Sequence, residues 1–125
     1  MDNLRKFFRS FNHAFRGLKY MLRNEQNFQI EVLFGFFVIA LMFIFSIRGL
    51  EKVALFFVIF SVLVMEIINT IFERVVDILK PRVHPYAQLI KDIMAAAVLI
   101  VSVGSIVIGV IIFYPYFRIL LLQSF

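Results

Sequence analysis

Val64-Met65-Glu66-Ile67-Ile68-Asn69-Thr70-Ile71-Phe72-Glu73-Arg74-Val75-Val76-Asp77 begins inside a long apolar run and ends in a polar segment. Read as a helix at about 100° per residue, it places Glu66, Asn69, Glu73 and Asp77 within a sector of roughly 80° on one face. An acid at mid-bilayer costs roughly 2.5 to 3.5 kcal/mol on insertion scales. A row of acids held at that cost is by default an intramembrane functional site, and the rest of the chain reads as its support.

The surrounding composition shows why the solvent is lipid. Of 125 residues, 62% are hydrophobic, 17 are Phe and none is Trp, and mean hydropathy is +0.95. A single water-soluble domain of this size has no interior large enough for that much apolar surface. The chain therefore reads as one all-α integral membrane domain. Formal net charge is +5. The bases crowd beside apolar spans, so anionic lipid headgroups are the expected counter-charge and nucleic acid is not. Cysteine is absent, which excludes disulfides and thiolate chemistry. Residues 1–29 lack an apolar core ending in a cleavage site and do not read as a secretory signal.

Outward from the opening stretch, four segments emerge. Residues 1–29 carry Leu4, Phe7, Phe8, Phe11, Phe15, Leu18 and Leu22 at helical spacing, interleaved with Arg5, Lys6, Arg9, Arg16, Lys19 and Arg23. That pattern predicts an amphipathic helix lying in the membrane interface. Membrane spans are expected over residues 30–47, 53–72 and 93–113. A tight polar turn, Arg48 to Lys52, joins the first two. A longer polar loop, Arg74 to Lys91, joins the last two and contains Pro81 and Pro85. The third span holds Ala95, Ala96, Ala97, Ser102, Gly104, Ser105 and Gly109, small residues that suit close helix packing within a protomer or between copies. The amino-terminal segment has six bases and the second loop four, against two in the first loop and one in the tail. The positive-inside rule then puts the amino terminus in the cytoplasm and the carboxyl terminus outside.

On this topology Glu25, Glu31, Glu73, Asp77, His84, Lys91 and Asp92 gather at the cytoplasmic interface. Glu66 lies two turns deeper than Glu73, roughly 10 Å along the axis. That depth profile suits a reaction between a lipid hydroxyl and a water-soluble reagent. Carboxylates with a lysine suit a nucleotide–magnesium complex, because Mg²⁺ is commonly held by one or two carboxylates plus substrate phosphates. A glutamate withdrawn from water is a candidate general base for a hydroxyl. Each piece has a plainer reading: Glu73 and Asp77 as a solvated helix end, Glu66 with Asn69 as a clasp between helices, Lys91-Asp92 as an interface anchor. Their placement on one side is what argues for chemistry. No G-x-x-x-x-G-K-[ST] loop and no H-R-D or D-F-G sequence appears, so any use of ATP must rest on a site unlike the usual kinase folds.

Glu66 to Asp77 resembles the signature of prokaryotic diacylglycerol kinases, E-[IL]-x-N-[ST]-A-x-E-x-x-x-D. Lys91-Asp92-Ile93-Met94-Ala95-Ala96-Ala97-Val98-Leu99 is similar to that family's K-D-x-x-[AS]-A-A-V-L. Ala14 to Leu18 and Asn24 to Phe28 resemble its A-x-x-G-[IL] and N-E-x-x-F. The resemblance runs nearly the length of the chain. It implies a homotrimeric bundle of three-span subunits, each with a surface helix, in a bacterial inner (cytoplasmic) membrane. It implies transfer of the γ-phosphate of MgATP to a lipid alcohol, either diacylglycerol, giving phosphatidic acid, or undecaprenol, giving undecaprenyl phosphate. By position, Glu66 is the general base, and Glu25 and Glu73 hold Mg²⁺. Lys6, Asn69, Asp77, His84, Lys91 and Asp92 complete the ATP site, and Ala95 lines the lipid cleft. Ile71 departs from the family's usual Ala, and Met94 replaces a common small residue. Ser10 to Gly17 looks closer to the undecaprenol subgroup, whereas Glu31 stands where that subgroup often has His.

A rival of another class is a small oligomeric channel or ion carrier with Glu66 on the pathway. A scaffold without chemistry is a third. A pore would spread polar residues along the full spans, and the outer halves here are nearly bare of them.

Overall fold

The computed structural model describes residues 2–124, without the side chains of residues 80–84. The expected nucleotide residue His84 therefore lies outside the described side chains. Three helices follow in order, α1 (Asp2–Asn24), α2 (Gln26–Ile44) and α3 (Gly49–Ser124). Among the described residues, three stretches are long and apolar enough to cross a membrane: Gln26–Ile44, Gly49–Leu79 and Pro85–Ser124.

The largest departure from the sequence reading is α3, whose backbone is helical for 76 residues. The polar segment from Arg74 to Lys91, expected as a loop, is part of it. A straight helix of that length would reach roughly 110 Å. Instead Tyr116 bonds Glu51 at 3.0 Å and Lys91 meets Asp77 at 2.7 Å. Both pairs require the helix to double back between Asp77 and Lys91. Its leading arm (49–79) and trailing arm (85–124) thus lie antiparallel. Pro81 and Pro85 fall in this stretch and each removes an N–H from the helical ladder, a common cause of sharp bends.

The other end of the bundle is closed by a built turn. Phe45 caps α2, Ser46 adopts a left-handed φ of 51°, and the Ile47 N–H donates to the Met42 carbonyl at 3.2 Å. This is a Schellman ending with Ser where Gly is usual. Its accompanying apolar contact is present, since Met42 and Ile47 are buried in one cluster with Leu55 and Phe113. Phe45 stands edge-on to Phe113 and Phe117 at 6.4 and 4.8 Å. Tyr116 donates to Glu51 and accepts from the Arg48 N–H at 3.4 Å, tying the trailing arm to the turn. At mid-height, α2 approaches the leading arm through Gly35. A Cβ there would stand 3.2 Å from Ile59 Cγ2. In lipid, where apolar burial drives little helix association, such close approach supplies the dispersion contacts.

The two glycines of the trailing arm are not used this way among the described residues: a Cβ on Gly104 or Gly109 would meet nothing within 4 Å. Along α1 only Met21 is buried. Its apolar stripe, Leu4, Phe7, Phe8, Phe11, Phe15, Leu18 and Leu22, is exposed within the chain.

Candidate active site

The junction between α1 and α2 is a single extended residue, Glu25, with φ −111° and ψ 106°. It occupies the N-cap position of α2 but makes no side-chain cap bond. A capping residue normally spends its oxygen on the first orphan N–H groups. Here the carboxylate turns instead to the guanidinium of Arg74 on α3, with which it forms a tight ion pair.

Arg74 collects three elements. Its Nε and Nη2 donate to the Tyr20 hydroxyl of α1, each at 3.3 Å. Nη2 also meets Glu25, and Nη1 lies 3.8 Å from Glu73 Oε2. Glu73 in turn accepts from Asn69 Nδ2 at 3.3 Å, one turn along the same face. Glu25 and Glu73 are thus held on either side of one cation. That arrangement fits the implied metal: two carboxylates share a positive charge, leaving the remaining ligands to phosphate and water, as Mg²⁺ commonly prefers. Among the described residues no group of three or more His, Asp or Glu forms a ready-made metal cage.

Glu66 lies two turns deeper and is 3% exposed. Asn27, in the first turn of α2, approaches it, and Glu31, Glu73 and Glu25 lie within electrostatic range of it. Thr70, one turn from Glu66, is equally buried. Thr70 Oγ1 and Glu31 Oε2 are buried without a hydrogen-bond partner. Polar atoms left so are rare in folded proteins and call for an explanation. Beyond Glu31, an apolar cavity of about 600 Å³ runs between α2 and both arms of α3, past Gly35, Ile59 and Ser105 to Phe113 and Phe117.

At the polar end, Lys91 Nζ meets Asp77 Oδ1 across the doubled helix at 2.7 Å. Asp92 accepts from Gln88 at 2.8 Å on the same arm. The structure thus brings Glu25, Glu66, Asn69, Glu73, Asp77, Lys91 and Asp92 to one end of the bundle. It does not bring Lys6 there: that residue is exposed on α1, roughly 27 Å along the helix from Asn24. Ala95 is one turn past Lys91, exposed, and not in the cavity wall. Arg74, Tyr20, Asn27 and Thr70 escape the sequence reading as site residues. Arg74 and Tyr20 were lost among many bases and aromatics, and Asn27 appeared only as part of a motif. Only the crossing of α1, α2 and α3 distinguishes them.

The family described as prokaryotic diacylglycerol kinase matches residues 12–113. The chain is similar to an undecaprenol kinase of Bacillus subtilis, 35% identical over 114 residues that cover 91% of this chain and 93% of that protein. It is also similar to a diacylglycerol kinase of a Synechocystis species, 29% identical over 101 residues, 80% of this chain and 58% of that protein.

Proposed function

The chain belongs to the prokaryotic diacylglycerol kinase family, and from that premise we propose that this lipid kinase transfers the γ-phosphate of MgATP to the hydroxyl of undecaprenol. The rival reading as a channel or ion carrier is not favoured by this membership. The observation that carries the proposal is the division of the acid row by depth. Glu66 is buried beside Glu31 and Thr70, while Glu73, Asp77 and Lys91 are partly exposed at the polar end, with the mostly covered Glu25 beside Glu73.

At the deep end, the lipid hydroxyl enters among the orphaned Thr70 Oγ1 and Glu31 Oε2 and supplies the missing partner. Glu66 accepts its proton, and the alcohol oxygen attacks the γ-phosphorus in line while the bond from that phosphorus to the β,γ-bridging oxygen breaks and ADP leaves. The apolar cavity beyond Glu31 has the lining needed for part of an isoprenoid chain. At the shallow end, Glu25 and Glu73 would hold Mg²⁺, which would neutralise phosphate charge. Lys91, Asp77, Asn69 and Asp92 orient the nucleotide, and Lys91 offers a compact positive charge to the transferring group.

Undecaprenol is preferred over diacylglycerol because the undecaprenol kinase of Bacillus subtilis aligns along nearly the whole length of both chains. The kinase works as a homotrimer in the bacterial inner membrane. The amino terminus is cytoplasmic and the carboxyl terminus outside. The apolar stripe of α1 lies in the interface, where its bases meet anionic headgroups. Purified protein in mixed micelles, given γ-labelled MgATP and each alcohol in turn, tests this reading. Label is expected in undecaprenyl phosphate at a higher rate than in phosphatidic acid. The reverse order would overturn the lipid assignment.

A further inference from the structure

Among the described residues Arg74 is the side chain that touches both proposed metal-holding carboxylates, and it is itself a cation. Its guanidinium pairs with Glu25, lies 3.8 Å from Glu73 and is steadied by the Tyr20 hydroxyl at 3.3 Å. The Glu25 side chain is 16% exposed and that of Arg74 is 46% exposed. The carboxylate is thus fixed in the protein, while the arginine has an open path outward.

We infer that Arg74 is a resident counter-cation that competes with the divalent ion for Glu25 and Glu73 and is displaced when metal arrives bound to nucleotide. The inference rests on the assignment of those two acids as metal holders. Two cations brought to one pair of carboxylates repel, so the ion must expel the guanidinium. A bare ion gives the released guanidinium nothing in return. An ion carrying phosphates does, because arginine's planar fork matches phosphate oxygens and forms paired charge-assisted bonds with them. The site thereby discriminates against empty metal and accepts the complete complex. Before loading, Arg74 also keeps the repulsion between Glu25 and Glu73 compensated, and it links α1 to α3 through Tyr20. Arg74 is in this sense a positioning residue.

Manganese binding, read from the loss of the free Mn²⁺ electron paramagnetic signal, tests this without turnover. Full-length protein in detergent is titrated with Mn²⁺ alone and with Mn²⁺ plus a non-hydrolysable ATP analogue. Arg74→Gln is expected to bind Mn²⁺ alone roughly two- to fivefold more tightly than wild type, the range for removing a half-exposed ion pair. With the analogue present the gain should vanish or reverse, because phosphate then lacks its guanidinium. Arg74→Lys keeps the charge but loses the fork, and Tyr20→Phe frees the guanidinium without touching either acid. Both should tighten Mn²⁺ binding by less, and they carry the test if Arg74→Gln does not fold. Unchanged or weaker binding of Mn²⁺ alone in these variants overturns the inference. Glu25→Gln and Glu73→Gln separate the two readings. If both retain wild-type binding of Mn²⁺ with the analogue, the metal assignment fails and takes this inference with it. If both lose it while the Arg74 variants match wild type, only the competition is wrong.

Discussion

Thr70 is buried with an unpartnered hydroxyl, one helical turn from Glu66. A buried hydroxyl without a partner penalises the lipid-free protein by about 1 to 3 kcal/mol, so its removal should not harm the fold. Thr70→Val keeps the shape and is expected to raise apparent stability by about 1 kcal/mol in thermal unfolding without lipid. The same variant should raise the KM for the lipid alcohol several-fold, because the substrate loses a partner. Lys91 gives the opposite contrast. Its pair with Asp77 is partly exposed on both sides, and such pairs contribute at most about 1 kcal/mol. A group that neutralises charge at the transferring phosphoryl is worth far more, on the order of 10²-fold in kcat per donor. Lys91→Ala should therefore leave the melting temperature within a few degrees of wild type while phosphate transfer falls by about that factor. An equal loss of fold and activity would assign Lys91 to structure alone. Glu66, Asn69, Glu73 and Asp77 were legible because helical periodicity alone puts them on one face. Arg74 and Tyr20 were not, because their roles depend on which helices cross there, and a single arginine in a basic chain carries no positional signal.

Among the elements, the turn closing α2 is strained at one residue. Ser46 holds φ 51° at a position that glycine occupies without a Cβ clash. Ser46→Gly is expected to raise apparent stability by about 0.5 to 1 kcal/mol with activity unchanged, since the turn lies at the opposite end from Glu66. The α2–α3 contact behaves differently. Gly35 already stands close to Ile59, whose branched side chain is stiff at χ1 and yields little. Gly35→Leu should push α2 away from the leading arm, lower the melting temperature and misalign Asn27 against Glu66, with transfer falling alongside. Neither position was foreseen. Serine does not announce a left-handed residue, and Gly35 is one glycine in an apolar run with no periodicity to mark its face. The fold-back of α3 was legible as a reversal but not as helix. Polar residues and two prolines signal a helix end in sequence, yet the backbone stays helical through them and the arms pair at Glu51–Tyr116 and Asp77–Lys91.

At the scale of the whole molecule, the bundle has a polar, chemically rich end and a plain end. Their assignment to cytoplasm and exterior rests on the distribution of bases. The absence of cysteine makes this testable, because a single introduced thiol reports alone. In intact cells an impermeant maleimide should label Ser124→Cys, and should label Ser10→Cys only once the cytoplasmic face is opened. Labelling of both in intact cells would contradict the topology. Membrane character and helical class were readable from composition, since this much apolar surface has no other solvent. How subunits assemble was not, because lipid-facing and partner-facing residues are equally apolar: a Cβ on Gly104 or Gly109 would meet nothing within 4 Å among the described residues. The central claim is that one helix joins a lipid hydroxyl at Glu66 to nucleotide phosphates at Glu73 and Asp77. Its most direct test is single-turnover transfer of label from γ-labelled MgATP to undecaprenol by wild type and Glu66→Gln, with nucleotide binding measured on the same samples. Wild type should transfer, and Glu66→Gln should bind nucleotide normally while transferring about 10² to 10⁴-fold more slowly. Equal transfer by the two proteins would contradict the account.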